Sequence, residues 1–236
     1  MRGGCVVRLL SLLLAAGAAG CSTSPSAENA SCPTSSTPPS GVHRLYLAFG
    51  GVDLRPGPDD ATTSTSGLIT QAVAVPAFLA GDDEAPAKIA LIVASVKQSL
   101  APFDVEVVSE RPAAGPYDMI VFGGSSGQVL GSDGQQFAGP QVCAGVPASQ
   151  IGLVFEVRKP LVATAATAVG IYAVMHGAAT TARPGDCLCL TDWRCVALAT
   201  QCSFGAEALG SDSSGCHIAG SVNGVQEMID AFGCRP

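Results

Sequence analysis

The chain has 236 residues, with 12 basic and 19 acidic side chains and a net charge of −7. An acidic balance with no basic face repels a phosphate backbone, so nucleic acid is not among the expected partners. Ten cysteines, against only one Trp and three Tyr, point to an oxidising compartment where disulfides persist.

Residues 1–20 have the layout of a secretory signal peptide. Arg2 and Arg8 supply the positive start, Leu9, Leu10, Leu12, Leu13, Leu14, Ala15 and Ala16 the apolar stretch, and Ala18-Ala19-Gly20 the small residues that a signal peptidase needs. That stretch is too short to cross a hydrocarbon core of about 30 Å as a helix. Ala18-Ala19-Gly20-Cys21 resembles a lipobox, although Ala18 stands where that pattern usually has Leu. The resemblance implies cleavage before Cys21 and attachment of diacyl lipid (palmitate chains) to its thiol. The expectation is a bacterial envelope lipoprotein whose membrane contact is this lipid. Ser22 follows the Cys instead of the Asp that marks inner-membrane retention in some bacteria, which leans towards the outer membrane. Loss of the leader removes two arginines and leaves ten basic against 19 acidic residues, a mature charge of −9.

Residues 21–41 are rich in Ser, Thr and Pro, cannot bury enough apolar surface to fold, and suit a flexible tether. Residues 42–236 are the size of a single domain. His43–Phe49 alternates Leu45, Leu47 and Phe49 with Arg44, Tyr46 and Ala48, the period of a strand. Gly50, Gly51, Pro56 and Pro58 open a loop that Thr62–Gly67 continue. Asp83 and Pro86 start a helix whose Ile89, Ile92, Val93, Val96 and Leu100 share one face, and Pro102 stops it. Phe103–Val107, Tyr117–Phe122 and Ile151–Val157 read as three further strands. Pro160 begins an Ala-rich helix through Leu161–His176, with Gly177 as its stop, and a last helix covers Val222–Phe232. The expected class is therefore a mixed α/β (α+β) domain with two main packing helices and a disulfide-rich C-terminal segment.

With Cys5 in the leader and Cys21 lipidated, eight cysteines remain for disulfides: Cys32, Cys143, Cys187, Cys189, Cys195, Cys202, Cys216 and Cys234. Eight allow 105 pairings, among which the sequence does not choose.

Two segments bear on chemistry. Gly123-Gly124-Ser125-Ser126-Gly127 satisfies G-x-S-x-G after a strand, the setting of a nucleophile elbow. Ser125 would be the nucleophile, His217 its base, and Asp186, Asp192 or Asp212 the orienting acid. Against this, Gly131 and Gly134 soon interrupt the helix that should follow. Of the carboxylates, Asp82, Asp83 and Glu84 read as a solvated capping segment, and Asp104 with Glu106 as the solvent face of a strand. His176 reads as a helix-end histidine facing the C-terminal dipole.

The second segment is ATAVGIYAVMHGAATTARPGDCLCL. Together with RLYLAFGGVDL, LAPFDVEVVSERP and YDMIVFGG it resembles a secreted metzincin-type zinc metalloprotease over most of residues 43–190. In active members the last helix carries H-E-x-x-H-x-x-G-x-x-H, three zinc-binding His and a Glu that activates water. With Gly177 on the motif glycine, the resemblance assigns the first His to Gly170, the Glu to Ile171, the second His to Val174 and the third to Thr180. None is a ligand of the required kind. The region of the Met-containing turn falls on Pro184-Gly185-Asp186 and Leu188 or Leu190, without a Met. The resemblance thus implies a zincin-like mixed sheet, no metal or other cofactor, and a pseudoenzyme that binds a peptide or protein partner. The alternative is a divergent secreted hydrolase, either a metallopeptidase using His176 and His217 or a serine enzyme using Ser125.

Overall fold

The computed structural model describes residues 43–141, 149–156, 160–190, 201–208 and 221–235. The leader, the lipidation site at Cys21 and the tether lie outside these residues, as do Trp193, His217, Asp192 and Asp212. The domain is mixed α/β, with four helices among the described residues and a five-stranded main sheet.

Strand β1 (His43–Ala48) is an inner strand of that sheet. Its neighbour β2 (Val52–Pro56) leaves for a second, smaller sheet with β3 (Thr65–Ser66) and β4 (Val73–Val75), in the order β3-β2-β4. Helix α1 (Ala85–Leu100) returns the chain to β5 (Val105–Val108), which pairs parallel with β1 on one side. On the other side β6 (Asp118–Phe122) also pairs parallel with β1. A short helix α2 (Ser126–Leu130) and an edge strand β7 (Phe137–Ala138) precede β8 (Ile151–Val154). β8 lies parallel to β6 and antiparallel to β7, so the order is β5-β1-β6-β8-β7. Helix α3 (Leu161–Met175), the hairpin of β9 (Ala206–Ala208) and β10 (Ser221–Asn223), and helix α4 (Gly224–Phe232) complete the element list.

The strand period decides which side chains meet which layer. Leu45, Leu47, Val105, Val107, Ile120, Phe122 and Val154 join one core with Ile92, Val96 and Leu100 of α1, most of α3 and Phe232 of α4. Ala48, Met119, Val121, Ile151 and Leu153 join a second core with Leu54, Ala61, Ile69 and Val75 of the small sheet and its loops. All five residues of β6 are buried, as expected where both faces of a parallel sheet are covered.

The acidic run before α1 forms a turn, and its N-cap residue Glu84 makes no side-chain cap, unlike the capping segment expected. Asp82 Oδ1 accepts from the Glu84 N–H at 2.8 Å, and Lys88 Nζ reaches Asp82 at 2.7 Å and Glu84 at 3.1 Å. Three further readings are corrected. The loop expected over Gly50–Gly67 contains β2 and β3, strands too short for their period to emerge. The strand expected from Phe103 begins at Val105, because Phe103 bridges Cys234 and the Asp104 N–H donates to Gly233 O. Glu106 is exposed and pairs with Arg44 at 2.8 Å, while Asp104 precedes the strand and is half-buried. β8 ends at Val154, three residues short of the expected end.

Of the eight candidate disulfide cysteines, Cys187 and Cys202 are joined, 15 residues apart in sequence, and Cys189 and Cys234 are also disulfide-bonded. Cys32, Cys143, Cys195 and Cys216 lie outside the described residues. Among the described residues no helix is long and apolar enough to cross a membrane.

Candidate functional site

Helix α3 is apolar on every side, and a helix of that kind must be enclosed. Eleven of its 15 residues are buried. Ile171 and Met175 lie against β8 and the residues after β7, where Gly152 and Gly139 make room. A Cβ on Gly152 would sit 2.6 Å from Ile120 Cδ1 and 2.8 Å from Ile171 Cγ2. Tyr172 stacks on Phe232 of α4, with ring centroids 4.8 Å apart. The helix ends at Met175, and Gly177 takes φ 93°, a left-handed conformation suited to glycine that turns the chain away.

The positions that the metzincin resemblance assigns to zinc and to water activation all lie on this helix or its exit. Gly170 faces the stapled segment: a Cβ there would stand 2.4 Å from Cys187 O and 2.6 Å from Leu190 Cδ2. Ile171 is 2 % exposed and points into the main core. Val174 is half-buried against the same core. Thr180 is buried, and its Oγ1 has no hydrogen-bond partner among the described residues. One hydroxyl and three apolar positions do not make a zinc site, which needs imidazole, thiolate or carboxylate donors. Among the described residues no group of three His, Cys, Asp or Glu side chains could hold a metal ion.

The densest chemistry lies one turn further on. His176 is the C-cap of α3, and its Nε2 is 2.9 Å from Asp118 Oδ2 in a pair with side chains only 8 % and 6 % exposed. Asp118 Oδ1 accepts from the Gln150 N–H at 2.8 Å, so both carboxylate oxygens are engaged. His43, at the start of β1, stands edge-on to His176 with centroids 6.0 Å apart, and Phe232 packs against both rings at 5.2 and 4.6 Å. Burial, and then the neighbouring His176, lower the His43 pKa below its ordinary 6.5. Tyr172 closes the cluster; its hydroxyl has no hydrogen-bond partner among the described residues, and burial raises its pKa well above 10. His176 had been legible as a helix end, but its partner had not. The missed signal was the carboxylate opening the buried strand YDMIVF, since a buried charge requires a partner.

Of the residues expected for a serine enzyme, Ser125 and Asp186 are described, while the expected base His217 lies outside the described residues. Ser125 is exposed and caps α2, its side chain accepting from the Gln128 N–H at 3.2 Å. Helix α2 ends after five residues at Gly131. His176 contacts the start of β6 whereas Ser125 follows its end, roughly 20 Å away at about 3.3 Å per extended residue.

Asp186, one of the acids expected to orient His217, is a buried turn residue beside the Cys187–Cys202 disulfide, its Oδ1 accepting from the Leu188 N–H at 2.8 Å. Desolvation raises its pKa from 3.8 to about 6. The folded state therefore holds this proton more tightly than the unfolded chain does. The resulting stability is fully present below pH 3.8 and is lost as pH rises through about 6. The shift corresponds to about 2–3 kcal/mol. Urea unfolding at pH 4 and pH 7 should show Asp186→Asn sparing that loss relative to the wild type. Parallel pH dependence in the two proteins would refute the assignment.

On the opposite face of the sheet a cavity of about 700 Å³ is lined by Asp59, Asp60, Thr62, Arg111, Tyr117 and Ser149 among others. Arg111 is committed to structure there: Nε donates to Tyr117 Oη at 2.7 Å, and Nη2 to Ala61 O at 2.6 Å and Ser64 Oγ at 2.9 Å.

No protein-family model matches this chain, and no curated protein matches it in sequence.

Proposed function

We propose that the chain is an envelope lipoprotein, held to the outer membrane by lipid on Cys21, whose domain is a metalloprotease-like scaffold without catalysis. Its role is to bind a peptide or protein partner. The observation that carries this reading is the filled surface at Gly170. Where the resemblance expects the first zinc-binding His, the backbone carbonyl of Cys187 and the side chain of Leu190 stand closer than a Cβ permits. The order of a strand, a helix, three further parallel strands and a buried helix with Gly177 just past its end supports the scaffold that the resemblance implies. The open cavity beside Arg111 offers a concave polar surface for a partner.

Elemental analysis of the oxidised full chain should find zinc far below one atom per chain, and a chelator should change no peptidase turnover. Stoichiometric zinc would overturn the reading and bring the metallopeptidase alternative forward. The serine-enzyme alternative rests on Ser125 together with His217, which lies outside the described residues.

A further inference from the structure

The cluster at the end of α3 joins two parts of the chain that are remote in sequence, the first strand of the domain and its last helix. Phe232 is fully buried and is the ring that closes it, touching His43, Tyr172 and His176. We propose that α4 is an acid-opened strap: protonation of His43 expels Phe232 from this ring cluster and releases the helix from the sheet.

The groups that face His43 come from every element packed on it. Helix α3 presents His176 and Tyr172, β6 presents Asp118, and the segment before β5 presents Asp104. The residues after α4 bring Arg235, whose guanidinium donates to Val105 O. On β1 itself the next charge, Arg44, is paired with Glu106. Asp118, although bonded to His176 and the Gln150 N–H, still attracts positive charge at the ring, and Asp104 adds a weaker pull; burial and His176 outweigh both. The His43 ring is thus half-buried against an apolar ring on one side and flanked by a second imidazole. A proton added there faces desolvation on one side and His176 on the other. Because the folded state binds this proton less readily than the unfolded chain, the closed form is fully stable above the ordinary histidine range. It loses stability as pH falls through that range and below it.

The strap is the element built to yield. α4 has nine residues, too few to be stable without its packing, whereas α3 is enclosed on all sides. Its start is pinned by the Gly224 N–H to Gly205 O bond and by Glu227, which accepts from the Ala179 N–H. Its end runs into Cys234, which is disulfide-bonded, so opening leaves the strap attached and able to close again. Opening also gives the enclosed Tyr172 hydroxyl access to water.

The test combines two measurements on the oxidised full chain. Hydrogen exchange of residues 222–235, corrected for intrinsic rates, is followed between pH 7.5 and pH 5 alongside the imidazole titration of His43 by NMR. The expected result is a loss of protection in α4 of about tenfold for each unit by which the His43 pKa is depressed, with α1 unchanged. Its midpoint should coincide with a His43 titration below 6.5. His43→Phe should remove the pH dependence. A His43 titration at or above 6.5, equal loss in α1 and α4, or a pH effect that survives in His43→Phe would each overturn the proposal. Should that variant fail to fold, the coincidence or divergence of the two wild-type midpoints decides the matter.

Discussion

Replacing Asp118 by alanine should lower the unfolding free energy by about 2–4 kcal/mol, because a buried carboxylate that accepts two hydrogen bonds is lost. The contact is enclosed, with 8 % and 6 % of its two side chains exposed. The substitution strands two donors at once, His176 Nε2 and the Gln150 N–H. Each orphaned buried donor carries a desolvation cost of its own. The loss should therefore exceed that of truncating an exposed pair such as Arg44–Glu106, which is expected to cost less than about 1 kcal/mol. A double substitution, Asp118→Leu with His176→Leu, should cost clearly less than the sum of the two single changes, because no charge is left unpaired. Denaturant unfolding of the wild type, Asp118→Ala, Asp118→Leu, His176→Leu and the double variant at neutral pH measures both quantities. A cost below about 1 kcal/mol for Asp118→Ala, or strict additivity, would show that the pair is not the clamp its geometry describes.

The parts of this fold that were legible are those whose information is local. α1 announces itself through Ile89, Ile92, Val93, Val96 and Leu100 and through Pro86 near its start, and β6 through the apolar run Met119–Phe122. α3 was readable from Pro160 to the stop at Gly177, although its even burial erases the one-sided pattern that would say what it faces. Long-range pairing was not legible. Periodicity states which residues share a face of β1 but not that β5 and β6 flank it, and a two-residue strand such as β7 has no period to read. The same limit hid the chemistry. His176 and Asp118 lie 58 residues apart, and only the fold brings the end of α3 to the start of β6. Likewise Cys187–Cys202 is one pairing among many, selected when the segment after α3 folds back against Gly170.

That folding back makes Gly170 the position whose substitution bears most directly on the functional reading. In an open helix, Gly→Ala would stabilise by about 1 kcal/mol, because alanine loses less backbone entropy. Here the added Cβ would lie 2.4 Å from Cys187 O and 3.0 Å or less from two Leu190 side-chain atoms. Leu190 has some freedom to move, but the carbonyl is tied down, since the neighbouring Cys187 N–H donates to Ser203 O and the Cys187 side chain is bonded to Cys202. Gly170→Ala should therefore be destabilising on balance, reversing the sign that helix propensity alone gives. Gly170→Val, with two more methyl groups to place, should cost about 3 kcal/mol or more. Gly170→His puts the motif's first ligand back into the sequence and is expected to destabilise similarly without conferring zinc binding, since the ring has no space beside Cys187 and Leu190. Thermal unfolding of the three variants, with zinc added and omitted, separates the two accounts. A Gly170→Ala protein more stable than the wild type, or a Gly170→His protein stabilised by zinc, would mean that this face of α3 is open, as a working cleft requires.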